Sequence, residues 1–133
     1  MINILIPLAG KNQFFPVDEF PFPKPLIEFN GRTMIEHIID NFSSIEGEKK
    51  FIFIVNSRDC KKYHLDNVLN ILTENKSIII KLNSDTKGAA CSAMMASEFI
   101  DNNVPLIISN ADQLFDVNLQ GIISSFENSD CGV

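Results

Sequence analysis

The sequence predicts an α/β domain, a three-layer α/β/α Rossmann-like fold around a mostly parallel sheet. Three observations predict it. Short apolar runs rich in β-branched residues recur along the chain, stretches with apolar residues three and four apart lie between them, and the connections are short. Such alternation builds right-handed βαβ units whose helices cover both faces of a sheet.

Taken in order, Ile2 to Pro7 is an apolar run bounded by turn residues, and Phe51 to Val55, Ser77 to Lys81 and Pro105 to Ser109 repeat the pattern. These read as buried strands. Met34, Ile35, Ile38, Ile39 and Phe42 fall on one face of a helix, as do Leu65, Val68, Leu69 and Leu72. A third helix is expected over Ala89 to Ile100 and a fourth over Leu119 to Phe126. Asn30-Gly31 is expected to form a tight turn, with Thr33 capping the next helix and Glu36 completing a capping box. Asp116 precedes the fourth helix and is read as helping to start it. His37 and His64 lie within helical patterns and are assigned to helix surfaces.

At 133 residues, 45% hydrophobic and 21% charged, the chain has the composition of one globular domain. Folding can bury about two-thirds of its unfolded surface. No apolar run approaches the roughly 18 residues of a membrane span, and no basic segment precedes the first apolar residues. A cytoplasmic location, away from membranes, is the expectation. The net charge of −6 disfavours nucleic acid as a partner, while leaving room for a local cationic pocket. Cys60, Cys91 and Cys131 are odd in number and lack CxxC spacing, which argues against a disulfide framework or a zinc site.

In parallel sheets, ligands bind beyond the carboxyl ends of the strands, and three such segments here carry usable chemistry. After the first strand comes Leu8-Ala9-Gly10, followed by Lys11; a glycine there suits a loop whose backbone approaches a phosphate. Nearby, Lys24 stands between Pro23 and Pro25, a stiff frame for an ammonium group. After the third strand, Asn83 to Lys87 is polar and Gly88-Ala89-Ala90 is small, leaving backbone open beside a flat ligand such as a nucleobase. After the fourth, Asp112 stands where a carboxylate can hold a hard divalent cation against a substrate phosphate.

Together, the strand ending in LAG, the KPLIEFNGRTMIEHII segment, the polar strand end before GAACSA, and PLIISNADQ resemble the nucleotidyltransferase family that makes nucleoside-diphosphate sugars and related activated alcohols. The resemblance covers nearly the whole chain. It implies the nucleotide-diphospho-sugar transferase type of fold, with residues 1–133 forming a single domain that is the N-terminal portion of a longer one. It also implies the reaction: a sugar phosphate or phosphorylated alcohol attacks the α-phosphate of a nucleoside triphosphate, and pyrophosphate leaves. Such enzymes serve nucleotide-sugar and polysaccharide biosynthesis. By the same resemblance Lys24 and Asp112 would be catalytic, with Asp112 holding magnesium (Mg2+) as cofactor. Leu8, Ala9, Gly10, Lys11, Asn83, Gly88 and Ala89 would bind the nucleotide. A homo-oligomer is an allowed assembly.

Several positions depart from the family pattern. Asn12 and Phe14 stand where the family's loop carries a second glycine and a triphosphate-gripping arginine. Lys11 replaces that arginine only in part, because an ammonium cannot reproduce a bidentate fork. Asn83 is one carbon shorter than the family's usual glutamine. A catalytically impaired nucleotide- or nucleotide-sugar-binding domain is therefore the second reading. A glycosyltransferase of the related fold is the third, although Asn110-Ala111-Asp112 offers one acid where that class carries a DxD pair.

Overall fold

The computed structural model describes residues 1–10, 18–19 and 21–128. Lys11, Asn12, Phe14 and Cys131, and the turn and strand start expected over 130–133, lie outside the described residues. The elements run β1 (Ile2–Pro7), a 3-10 turn (Lys24–Leu26), β2 (Glu28–Phe29), β3 (Arg32–Thr33), α1 (Met34–Asn41), β4 (Lys49–Asn56), α2 (Ser57–Tyr63) and α3 (Leu65–Leu72). They continue with β5 (Ser77–Leu82), α4 (Ala89–Met94), α5 (Ser97–Ile100), β6 (Leu106–Ile108) and α6 (Leu119–Glu127).

Four strands form the main sheet in the order β5-β4-β1-β6, and every pairing in it is parallel. Ile2 lies opposite Lys49 and Pro7 opposite Ile54, while Asn3 to Leu5 pair with Leu106 to Ile108 on the other side. From β1 the chain steps outward to β4 and β5, then returns to the opposite edge at β6. The order therefore reverses between β1 and β6, and a crevice opens at their carboxyl ends.

Side-chain alternation divides the core by sheet face. Ile2, Ile4, Ile6 and Leu8 join Phe51, Phe53 and Val55 on one face, under Ile35, Ile38 and Phe42 of the α1 region and Leu65 and Leu69 of α3. Leu5, Ile52, Ile54 and Leu82 point to the other face, where Ala93, Ala96, Phe99 and Ile100 pack. Burying each large apolar side chain stabilises the fold by about 1.5–3 kcal/mol. The first face is the thicker half, since α1, α3 and α6 all contribute to it.

Asn30 and Gly31 both have positive φ, 51° and 78°, as a two-residue hairpin turn requires, and they join β2 to β3 in antiparallel register. Thr33 then caps α1: its Oγ1 accepts from the Glu36 N–H, and its own N–H donates to the Glu36 carboxylate over 2.7 Å. His37 lies on the surface of α1, where Nε2 reaches the Phe29 carbonyl at 2.9 Å and the ring stacks on Phe29.

Four details differ from the sequence expectation. The strand read as buried over Pro105 to Ser109 is an edge strand, β6, with Leu106 and Ile108 exposed. The helix α2 has no counterpart in it, because Cys60 is the one buried residue among its seven and leaves no periodic signal. His64 is not within a helix; it takes a left-handed conformation, φ 55°, at the junction of α2 and α3. The single helix expected over Ala89 to Ile100 is two, α4 and α5. Hydrogen bonds from Met95 to Ser92 and from Ala96 to Ala93 tighten the chain there and set the fully buried Ala96 against the sheet.

Candidate functional site

The crevice at the carboxyl ends of β1 and β6 holds a cavity of about 660 Å3. Leu8, Ala9 and Gly10 line it from the end of β1, Lys24 from the 3-10 turn, Arg58 and Asp59 from α2, and Asp112 from the segment after β6. Lys24 and Asp112 are 88 positions apart in sequence, yet Nζ donates to the Asp112 carboxylate over 2.6 Å. Both side chains keep partial solvent exposure, 24% and 33%.

Each site segment is tied to the scaffold by a hydrogen bond that spans many residues. Asn56, at the end of β4, donates from Nδ2 to the Ala9 carbonyl over 3.1 Å, fixing the backbone after β1. The Tyr63 hydroxyl donates to the Pro21 carbonyl over 2.8 Å and the Tyr63 ring meets Phe22 edge-on, so α2 carries the proline-framed segment. Pro25 is buried, and the turn closes through Leu26 N–H to the Pro23 carbonyl. Asn41 of α1 holds the backbone of Phe115 in both directions and anchors the loop that bears Asp112.

Gly10 lies on the cavity wall, where its small size matters more than its backbone freedom. Its φ is not in the left-handed region, and a Cβ placed there would meet no atom of the described residues within 4 Å. Gly10 lines the cavity, so a side chain there would add bulk at its wall without backbone strain. Gly88 is the reverse case, with φ 113°, a conformation that suits glycine at the N-cap of α4.

A second cavity of about 300 Å3 adjoins the first and shares Asn56, Arg58 and Asp85 with it. Asn83 lines this smaller cavity, together with Lys61. Gly88 lies outside both linings, and Ala89 opens α4. Sequence reasoning thus found Leu8, Ala9, Gly10, Lys24 and Asp112, which converge, and Asn83, which stands next door. It named Asp85 only as part of the polar stretch Asn83 to Lys87 and missed Asn56, Arg58 and Asp59; position just past the β4 end was the available signal.

Asp59 sits partly desolvated in the cavity wall, and burial raises its pKa against the opposing pull of Arg58 and a hydrogen bond from Asn56. Among the described residues no three potential His, Cys, Asp or Glu ligands converge as a protein-only metal cage. A single carboxylate such as Asp112 suits magnesium, which keeps several waters and takes its remaining ligands from substrate phosphates.

Residues 14–132 match the nucleotidyl transferase family. The chain belongs to that family. A bifunctional GlmU protein of Methanococcus maripaludis is 26% identical over 129 residues, which are 96% of this chain and 28% of the relative. The fold of this nucleotidyl transferase chain is shared with a nucleoside-diphosphate-sugar pyrophosphorylase of Vibrio cholerae RC9 (TM-score 0.66, 24% identity, 82% of this chain and 47% of that one). It is shared too with a UDP-glucose pyrophosphorylase of Acinetobacter baumannii (TM-score 0.71, 17% identity, 97% and 54%). This nucleotidyl transferase chain therefore spans about a quarter of the curated relative and about half of the solved ones. Among its described residues no helix is long and apolar enough to cross a membrane.

Proposed function

We propose that this chain supplies the nucleotide-activating half of an enzyme that transfers a nucleoside monophosphate from a nucleoside triphosphate to a sugar phosphate or phosphorylated alcohol. A phosphate oxygen of the acceptor forms a bond to the α-phosphorus, the bond from that phosphorus to the bridging oxygen breaks, and pyrophosphate leaves. The acceptor oxygen is already ionised near neutral pH, so the chemistry calls for positioned cations rather than a general base.

The observation that carries this reading is the Lys24–Asp112 pair at the mouth of the crevice floored by Leu8, Ala9 and Gly10. Lys24 is framed by prolines and held by Asp112, so its ammonium is oriented before a phosphate arrives. Backbone without bulky side chains lies beside it for the ribose and α-phosphate. Magnesium, when bound, neutralises phosphate charge, and Asp112 is the residue that would hold it. An Acinetobacter baumannii relative is known in a UTP-bound form, which supports a nucleoside triphosphate as the first ligand.

The replacement of the loop arginine by Phe14 favours a second reading, in which the chain binds nucleotide but transfers slowly or not at all. A pyrophosphate-release assay across nucleoside triphosphates and sugar or alcohol phosphates, with magnesium, separates the two. Release that depends on Lys24 is the expected result. Nucleotide binding without release selects the binding domain, and absence of both overturns the proposal.

A further inference from the structure

The smaller cavity bears on which nucleobase the site takes, and this inference rests on the nucleotide reading above. If phosphates occupy the Lys24 end of the larger cavity, the base lies further along the strand ends, past Ala9 and Asn56. The 300 Å3 cavity is there, at the ends of β4 and β5. Its chemistry is uneven. Arg58 and Lys61, one helical turn apart on α2, are exposed and have no hydrogen bond or ion pair to another described side chain. Asp85 brings a carboxylate, and Asn83 an amide able to donate and accept.

Such a set distinguishes the bases. Arg and Lys donate only, and guanine offers them two adjacent acceptors, O6 and N7. An ionised Asp accepts only, and guanine's N1–H and N2 amino group are two adjacent donors that a carboxylate can bridge. Adenine and cytosine each bring one exocyclic amino group, and uracil and thymine a single N–H between two carbonyls. Guanine alone of the common bases has both a two-acceptor edge for a cation and a two-donor edge for a carboxylate.

The geometry points to guanosine triphosphate as the nucleotide of this site, with Asp85 reading the N1–H and 2-amino edge and Arg58, supported by Lys61, reading O6 and N7. Leu82, buried at the cavity's edge, gives the base an apolar surface. Asn83 completes the polar rim.

Calorimetric titration of the full chain with magnesium and GTP, ITP, XTP, ATP, CTP, UTP or dTTP tests it. GTP should bind about tenfold or more tightly than the rest, including ITP, which lacks only the 2-amino group. Asp85→Asn should erase the GTP over ITP preference and favour XTP, whose 2-carbonyl accepts from the new amide. Arg58→Ala should weaken GTP and ITP about tenfold while leaving the GTP to ITP ratio unchanged. Both side chains are exposed, so thermal melts of the variants should match the parent. Equal GTP and ITP affinity, preference for another base, or an unchanged GTP to ITP ratio in Asp85→Asn overturns the guanine assignment and leaves the transfer reaction standing. Failure of the unsubstituted chain to bind any triphosphate overturns both.

Discussion

Asn41 grips Phe115 through both polar groups of one residue's backbone: Nδ2 donates to the Phe115 carbonyl over 2.8 Å, and Oδ1 accepts from the Phe115 N–H over 2.6 Å. These partners are 74 positions apart, and the bond pair fastens the loop after β6 to the end of α1. Asp112 stands three residues before Phe115. Its carboxylate therefore owes its place to an amide on another element.

Asn41→Ala should lower stability by about 1–2 kcal/mol, the cost of two partly buried hydrogen bonds. It should also weaken magnesium-dependent nucleotide binding with Asp112 intact. Urea unfolding paired with nucleotide titration checks both. An unchanged affinity alongside lower stability would confine Asn41 to a folding role.

The Lys24–Asp112 pair is partly exposed, so breaking it should alter stability by no more than about 1 kcal/mol. Turnover is a different matter. Lys24→Ala and Asp112→Asn should each lower the rate of pyrophosphate release about 100-fold, because a preorganised charge acts where charge develops. The two should differ in magnesium titrations, which Asp112→Asn shifts to higher concentration and Lys24→Ala leaves in place. Rates within threefold of the parent in either variant would remove that residue from the mechanism.

How much of this was legible in the sequence depends on the range of the signal. Periodicity is local, so all four strands of the main sheet and α1, α3 and α6 could be read from it. Leu8 to Gly10 and Asp112 stood out because they follow strands of a parallel sheet, and Lys24 because prolines flank it; the structure brings them to one cavity. Asn41, Asn56 and Tyr63 were not, since each acts on a backbone carbonyl or N–H between 42 and 74 positions away and such bonds leave no trace in spacing. The break at Met95 and Ala96 was hidden in a run of good helix formers, where packing against Leu5, Ile52 and Ile54 overrides propensity.

The two glycines should separate conformational need from ligand space. Gly88→Ala places a side chain at φ 113° and should destabilise the fold by about 1–3 kcal/mol. Gly10→Ala meets no described atom within 4 Å and takes no left-handed φ, so its melting temperature should hold while nucleotide affinity falls. A large stability loss in Gly10→Ala would contradict this geometry.

Acid should destabilise the chain. A hydrogen bond from Lys81 holds the Asp66 carboxyl below its ordinary range, one from the Thr33 N–H does so for Glu36, and one from Arg32 for Asp40. A carboxyl whose folded pKa is depressed contributes stability that is complete above its unfolded value, near 4, and is lost as pH falls through the folded one. Asp59 works in the opposite sense: burial raises its pKa, so its ionisation costs stability as pH rises through the carboxyl range. Urea midpoints should fall between about pH 5 and pH 2. Asp66→Asn should flatten that fall, and Asp59→Asn should raise the midpoint at pH 7 but not at pH 3. A midpoint independent of pH below 5 would contradict the three hydrogen-bonded carboxylates.

The outer edge of β6 carries a prediction for the 133-residue chain in solution. Among the described residues β6 pairs with β1 on one side only, so its other edge presents free backbone groups. Two of the three residues of the strand, Leu106 and Ile108, are exposed apolar side chains, and Met94, Met95, Leu114, Val117 and Ile122 are exposed elsewhere in the chain. An open strand edge bearing exposed apolar side chains is a template for pairing with another chain. Sedimentation of the chain alone should therefore show concentration-dependent self-association. Ile108→Lys should suppress it, because a charge on an open edge opposes strand addition, and its 58% exposure means the substitution leaves the core and the melting temperature nearly unchanged. A chain that stays monomeric across the micromolar range without that substitution would show that this edge is not a pairing surface.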